Sequence, residues 1–280
     1  PEFEDIDAEP VYGNANLDPE KTVTYEIGLQ QQLNETLAFN VTGFYKDVRD
    51  LLAIQEIRIS SNQLYQKYVN KDYGNIKGIT FSLSKRKMPD ELLGASLDYT
   101  FQVAEGNNTS ADAFFIDLQS GRQSEKIPVP LEWDQSHTLN GVVTFGGDKD
   151  WTVTIVGSLG TGLPYSPQLI EQQIYLRTNS ERKPFQTNVD LLIDKSFLIE
   201  TTTLTLFLKV FNLFDTKNER FVYDDTGRAT YSLEETKGGP EATNKISEQY
   251  PGIKSATEYF NRPNYYSAPR EVRFGLTLEF

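Results

Sequence analysis

The strongest constraint on this chain is an alternation of apolar and polar residues that recurs along its length. In Thr22-Val23-Thr24-Tyr25-Glu26-Ile27-Gly28-Leu29-Gln30 every large apolar side chain falls on an odd number. Successive side chains of a strand point to opposite faces, so period two marks a strand with one apolar face. The pattern returns in Leu93, Ala95, Leu97, Tyr99, Phe101 and Val103, set against Ser96, Asp98, Thr100 and Gln102. It returns again in Trp151, Val153, Ile155, Gly157 and Leu159, and in Val272, Phe274, Leu276, Leu278 and Phe280. No segment carries a comparable helical stripe. The chain is read as all-β.

Laid end to end, the predicted strands cover 22–32, 36–58, 64–86, 92–105, 134–146, 150–161, 184–198, 201–223 and 268–280. The connections alternate in length. Short ones fall at 33–35, 87–91, 147–149 and 199–200; long ones fall at 105–133, 162–183 and 224–269, with 60–63 a shorter member of that set. A soluble sandwich explains the alternation but not this sorting. A transmembrane β-barrel explains both, with tight periplasmic turns on one rim and long extracellular loops on the other. Aromatic residues support it: Phe145, Trp151, Phe197 and Phe280 flank the short turns, while Tyr45, Phe101, Phe185 and Phe214 sit towards the long loops. Amphipathic rings favour the two lipid–water interfaces.

Composition fits that reading once half of each strand faces a polar lumen. Mean hydropathy is −0.48, and the longest apolar candidate, Leu204 to Phe214, is broken by Lys209. A helical membrane protein needs an uninterrupted span of about 18 residues or more. The 27 basic and 40 acidic residues leave a net charge of −13, which argues against a nucleic-acid partner, whose phosphates require clustered cations. With no cysteine and the single histidine His137, disulfide scaffolds, thiolate sites and His-rich metal sites are excluded. Bacterial single-chain barrels have even strand numbers, so nine strands predict further strands upstream, residues 1–280 being one part of a larger barrel.

On the lumen face the phase places Glu26, Asn40, Asp98, Gln102, Asn140, Asn188, Asp190, Asp194, Lys209 and Arg273. A lining for whatever fills or crosses the lumen stands beside a plainer reading, a wet lumen whose charges pair across strands. Asp190 and Asp194 lie on one face about 13 Å apart along the strand, beyond the roughly 5–9.5 Å of paired glycosidase carboxylates, so no catalytic dyad is read. His137 is a rim histidine rather than part of a triad. The acidic runs at 2–7 and at Asp224-Asp225 match no complete calcium loop and read as a solvated rim. Gly157, Gly160 and Gly162 mimic a nucleotide motif, but no helix follows; they are expected to relieve crowding where a strand leaves the membrane. Asn34-Glu35-Thr36 and Asn40-Val41-Thr42 fit glycosylation sequons by chance. Substrate-touching residues are expected on the long loops, where Tyr165, Tyr175, Tyr231, Tyr250, Tyr259, Phe260, Tyr265 and Tyr266 supply aromatic surface. Packing of the loops on each other explains the same residues.

Several segments, in order along the chain, resemble the C-terminal barrel half of TonB-dependent outer-membrane receptors. Gly13-Asn14-Ala15-Asn16-Leu17-Asp18-Pro19-Glu20-Lys21-Thr22 resembles that family's loop-into-strand motif, and Phe44-Tyr45-Lys46-Asp47-Val48-Arg49-Asp50-Leu51-Leu52 its outward strand. Tyr68-Val69-Asn70 with Gly74-Asn75-Ile76-Lys77-Gly78-Ile79 is similar to the return strand. Gly162-Leu163-Pro164-Tyr165-Ser166-Pro167 and Val210-Phe211-Asn212-Leu213-Phe214-Asp215 are similar to two further signatures. The end, with Gly275, Leu278 and Phe280, resembles the signal read by the barrel-assembly machinery. The pattern resembles Bacteroidetes-type members with an N-terminal carboxypeptidase-regulatory-like domain.

The resemblance implies an all-β barrel of about 22 strands, of which these are the last nine, around a plug domain that lies upstream. It implies a transporter without catalytic residues, cofactor or metal, in the outer membrane of a Gram-negative bacterium. The implied partners are the upstream strands and plug, TonB, outer-membrane lipid, the assembly machinery and a surface lipoprotein or other assembly subunit. The alternative is a barrel that serves as a docking platform or adhesin in a surface assembly.

Overall fold

The computed structural model describes residues 11–60, 63–107, 128–147, 151–169, 174–175, 178–237, 249–250 and 252–280. Nine long strands form one open antiparallel sheet in simple chain order. They are β1 (Lys21–Gln32), β2 (Leu37–Ser60), β3 (Gln63–Lys85), β4 (Leu93–Gly106), β5 (His137–Gly147), β6 (Trp151–Gly160), β7 (Gln186–Ile199), β8 (Thr202–Phe211) and β9 (Glu271–Glu279). Each pairs with its sequence neighbour, so every connection is a hairpin.

The register turns the alternation into two continuous faces. Leu29, Val41, Phe81, Tyr99, Leu139 and Leu159 are consecutive cross-strand partners, as are Ala95, Val143, Ile155, Leu191, Val210 and Val272. The opposite face carries an all-polar row, Gln30, Asn40, Ser82, Asp98, Asn140, Ser158 and Asn188. A slip of one residue in any hairpin would exchange the two faces. The apolar face remains exposed to the surroundings: Ile27 is 81 % accessible and Phe274 73 %.

On β3, Lys77 and Lys85 bracket Ile79, Phe81 and Leu83 on the apolar face. Eight residues rise about 26 Å along a strand, or about 20 Å along the normal at a tilt of roughly 40°. Long lysine stems reach past the edges of such a band. Phe145 and Trp151, 5.5 Å apart, mark the short-turn rim with Phe197, and Tyr45, Phe101, Phe185 and Phe214 are exposed towards the other rim. The aromatic belts fall where the sequence puts them.

Two of the short turns, at 33–36 and 200–201, are closed by a side chain and by special backbone. Asn34 Oδ1 accepts from the amides of Thr36 at 2.9 Å and Leu37 at 2.8 Å, which gives this sequon-like asparagine a turn-forming duty. Glu200 takes φ 55° between the paired Ile199 and Thr202. On the far side, β2 and β3 are 24 and 23 residues long and continue past β1 and β4. A register shift between Val48 and Leu51, with Asp50 at φ 61°, bends the hairpin there.

Two expectations change. The eighth strand ends at Phe211 rather than at residue 223, because Asn212 and Asp215 adopt φ 52° and 55° and fold the chain back. Its partner β9 has nine residues, so a strand running to 223 would leave a dozen or so backbone groups unpaired, contrary to the near-universal pairing of such groups. The fifth strand begins at His137 instead of 134, since residues 129–130 pair with the end of β4 and Asp134 turns inward. The long connection 212–270 also holds two short helices, α1 (Leu233–Lys237) and α2 (Ala256–Phe260). Ser255 caps α2 by accepting from the Glu258 amide at 3.1 Å, while Glu258 reaches back to the Lys254 amide at 2.9 Å.

Candidate functional site

The long-loop rim is assembled by polar side chains that stand in for backbone. Asn70, on the bent part of β3, accepts from the Asp18 amide at 2.7 Å and donates to the carbonyls of Asp18 at 2.9 Å and Asp50 at 2.7 Å. Asn14 donates to the Tyr68 carbonyl at 2.9 Å, and Val11–Tyr12 pairs in parallel with Gln66 and Lys67. The segment leading into β1 is therefore laced to the return strand. These contacts explain why Asn14 and Asn70 stand in the two motifs noted in the sequence, while Asp18 takes part through its backbone.

A second tie joins the loops on either side of β5 and β6. Asp134 is 1 % exposed. Its Oδ2 pairs with the Arg182 guanidinium, its Oδ1 accepts from the Ala104 amide at 2.8 Å, and its carbonyl accepts from Arg182 at 2.7 Å. Asn179 adds a bond to the Pro130 carbonyl at 2.8 Å. Gly162 passes so close to Lys183 that an added Cβ would overlap the Lys183 carbonyl. That is the crowding expected of this glycine run, whereas Gly157 meets nothing and faces open surroundings.

A third tie follows β8. Asp190 Oδ1 accepts from the Asn212 amide and from Asn188 Nδ2, both at 2.8 Å. Asn212 in turn spans the Thr216 amide and the Ala268 carbonyl, joining the exit of β8 to the approach of β9. Asn218 makes two 2.8 Å bonds to the backbone of Thr187, as a neighbouring strand would. Glu219, 6 % exposed, receives Arg228 at 2.7 Å and the Ala229 amide, which holds the Arg228 guanidinium even more firmly protonated.

On this frame lies an aromatic strip. Ring centroids run Phe221 to Tyr265 at 5.9 Å, Tyr265 to Tyr223 at 5.2 Å, Tyr223 to Phe260 at 5.6 Å, Phe260 to Tyr259 and Tyr259 to Tyr250 at 5.1 Å each. The Tyr223 hydroxyl donates to the Phe260 carbonyl at 2.7 Å, and burial pushes its pKa up. Lys183 Nζ stands 6.0 Å from the Phe221 ring and Arg262 stacks 4.5 Å from Tyr259.

The structure places the sequence-read residues as follows. Glu26, Asn40, Asp98, Gln102, Asn140, Asn188, Asp190, Asp194, Lys209 and Arg273 all fall on the polar face by register. Lys209 and Arg273 are direct partners, each over a ring, Phe207 at 5.1 Å and Phe211 at 5.0 Å. Gly275 lies on that face beneath Phe207, with Leu278 and Phe280 exposed at the chain end. Tyr259 and Tyr265 join the strip. Tyr165 is apart from it, its hydroxyl against Gly227, with burial first and then Glu181 raising its pKa. Tyr231 is 44 % exposed. The side chain of Tyr175 and the run 2–7 lie outside the described residues. Asp225 caps the segment entering α1 through Ser232 and Leu233. His137 accompanies Tyr99 and Phe101 on the apolar face, 2.8 Å from the Tyr99 hydroxyl.

Sequence reasoning missed Phe221, Tyr223, Lys183 and Arg262. The first two were counted into the overlong strand 201–223; its shorter expected partner, 268–280, is the signal against it. The S-x-x-E pattern at Ser255–Glu258 likewise announces α2, which presents Tyr259 and Phe260.

Among the described residues no helix is long and apolar enough to cross a membrane. A search of curated protein sequences finds no significant match. Solved structures with the same fold include the outer-membrane transporter YddB from Escherichia coli, with a TM-score of 0.57 and 11 % identity, covering 75 % of this chain and 31 % of that one. P. aeruginosa FpvA bound to a heterologous pyoverdine gives 0.56 and 14 %, covering 94 % and 27 %. The FrpB iron transporter from Neisseria meningitidis gives 0.52 and 15 %, covering 75 % and 29 %. At these identities the likeness is one of fold, and the chain spans less than a third of the length of these structures. A family model described as TonB dependent receptor-like, beta-barrel matches residues 4–213, and this chain, an antiparallel wall with one apolar and one polar face, belongs to that family.

Proposed function

We propose that this chain supplies wall, outer loops and C-terminal assembly signal to an active transporter that imports a substrate across the outer membrane of a Gram-negative bacterium, energised through TonB. The observation that carries the reading is the unbroken apolar face across nine strands, joined to long loops braced at one rim, in a chain of this barrel family. Relatives in fold named as transporters of the outer membrane and of iron support import as the activity.

In this reading Glu26, Asp98, Asn188, Asp190, Asp194, Lys209 and Arg273 line the lumen beside an upstream plug. Tyr165, Tyr175, Tyr231, Tyr259 and Tyr265 stand where substrate arrives, and Gly275, Leu278 and Phe280 guide assembly. Energy coupling belongs to the plug and its TonB-engaging segment, so this chain encloses and binds. The test compares accumulation of radiolabelled candidate ligands in cells with and without TonB, each with the receptor gene present or deleted. Receptor-dependent uptake lost with TonB is expected. Uptake of every ligand indifferent to TonB would contradict the proposal and favour a docking platform.

A further inference from the structure

Cations gather at one place on the outward, apolar face of the wall. In the long-loop halves of β4 to β9 the outward residues include no lysine or arginine. On β1 to β3 that face carries Lys21, Arg49 and Lys77. The bulge at Asp50 opens a cavity of about 350 Å³ just beyond them, lined among others by Asp47, Arg49, Asp50, Lys71 and Tyr73. Its acids are already engaged: Arg49 bonds Asp47 at 2.8 Å, Lys21 stands 3.3 Å from Asp50, and Asn107 donates to the buried Asp72 at 3.0 Å. Lys71 and Lys77 are exposed, and among the described residues no carboxylate pairs with either. In a chain of net charge −13, two ammonium groups are left uncommitted on one side of one hairpin.

The wall below this cleft is shaped for hydrocarbon. Tyr25, Tyr45 and Lys77 are consecutive cross-strand partners, with the two rings 6.5 Å apart, and rings at this level mark the lipid–water interface. The next row towards mid-membrane is Ile27, Gly43, Ile79 and Phe101. Gly43 leaves a furrow in it: an added Cβ would meet nothing nearer than 3.9 Å, while Ile27 and Ile79 stand exposed on either side. A polar cleft with spare cations directly above an apolar furrow is complementary to a molecule with an anionic head and a hydrocarbon tail. The cleft is held open by Asn70, whose amide spans Asp18 and Asp50, so little ordering cost remains for a ligand. Strand rise sets Lys71 and Lys77 about 20 Å apart along β3, which suits two separate anionic groups better than one.

We propose that this hairpin holds one lipid of the outer leaflet whose headgroup carries two phosphates. Lys77 takes the phosphate nearer the hydrocarbon, Lys71 the outer one in the cleft, and an acyl chain lies in the Gly43 furrow. The inference goes beyond the transporter reading and rests on the apolar face meeting lipid. The delipidated full-length receptor in neutral detergent is titrated with diphosphoryl lipid A and with the same lipid stripped of its phosphates, and bound molecules are counted by native mass spectrometry. One diphosphoryl lipid is expected to bind tenfold or more tighter than the stripped form, and excess inorganic phosphate leaves it in place. Replacing both lysines, Lys71→Gln with Lys77→Gln, brings the preference to within twofold. Gly43→Leu weakens both lipids alike, and Glu105→Gln, which removes the acid opposite Asn75 one row above Lys77, tightens the diphosphoryl form. Lys85→Gln, at the other end of β3, changes nothing. Retained heat-modifiable migration establishes that each variant is folded. Equal binding of the two lipids by the wild type, displacement by inorganic phosphate, a preference that survives the double replacement, or indifference to Gly43→Leu overturns the proposal. TonB-dependent uptake by a receptor that retains no lipid would overturn this site and leave the transporter reading standing.

Discussion

The wall and the long-loop rim are held together by different physics. In the wall, backbone pairing fixes every residue and side chains need only respect a face. The row Ala95, Val143, Ile155, Leu191, Val210 and Val272 would serve as well with its aliphatic residues permuted. At the rim, single polar side chains replace whole strands: Asn70, Asn212 and Asn218 each span both donor and acceptor groups of other backbone segments. A wall spreads its stability over many equivalent pairs, whereas the rim concentrates it in a few groups. The wall should therefore be sensitive to the face on which a change falls, and the rim to the identity of particular residues.

The largest effect should come from the buried ion pair. Arg182→Met leaves Asp134, 1 % exposed, without its counter-charge, and unpairing a buried charge costs about 3–5 kcal/mol. Amide exchange at Ala104, bonded to Asp134 Oδ1, should accelerate on the order of 100-fold or more, while exchange at Leu191 and Ile155 in the wall stays as it was. Equal acceleration in both regions would erase the distinction drawn here.

Within the wall, Ile155→Arg should cost about 2–4 kcal/mol when the protein is unfolded by denaturant from lipid bilayers, as a cation on the lipid face near mid-depth does. Thr154→Arg, one residue away on the polar face, should cost far less. Similar costs at the two positions would contradict the assignment of faces. At the rim, Asn212→Ala removes bonds to Thr216 and Ala268 and puts a less tolerant residue at φ 52°. An unsatisfied buried group costs about 1–3 kcal/mol, so limited proteolysis should open the 212–220 segment while β8 and β9 remain protected.

The smallest effect concerns pH. Burial raises the phenols of Tyr165 and Tyr223 above their ordinary value. Folding favours their neutral form, so this contribution to loop stability is full below the unfolded value of about 10 and is lost as pH rises through the higher folded value. Phenolate absorbance should show both tyrosines ionising after the exposed ones, with Tyr165→Phe and Tyr223→Phe each removing one late-titrating group.

The wall was legible because its rule is local. Period two in Val23, Tyr25, Ile27 and Leu29, or in Trp151, Val153, Ile155 and Leu159, states the face directly, and short connections leave one way to pair. The rim was legible only in part. Its aromatic supply could be counted, but Asp134 meeting Arg182 and Asn218 meeting Thr187 join residues whose separation in sequence carries no periodic signal. Phe221 and Tyr223 follow an apolar run and so looked like more strand. Asn212, in the αL region that asparagine tolerates better than most residues, ends that run. Arg262 meets Tyr259 three residues before it in sequence, a pairing that no periodic signal marks.

The central claim is that the face bearing Val153, Ile155, Gly157 and Leu159 meets lipid while Thr152, Thr154, Val156 and Ser158 meet the lumen. Residues 1–280 contain no cysteine, so once any cysteine elsewhere in the protein is replaced by serine, single cysteines placed at each position from 152 to 159 take a spin label without background. Accessibility is then measured to oxygen, which partitions into lipid, and to a water-soluble nickel chelate, with the full-length protein in bilayers. The account predicts an oxygen-to-nickel ratio that alternates with period two and peaks at the odd positions. A ratio that does not alternate, or that peaks at the even positions, would contradict it.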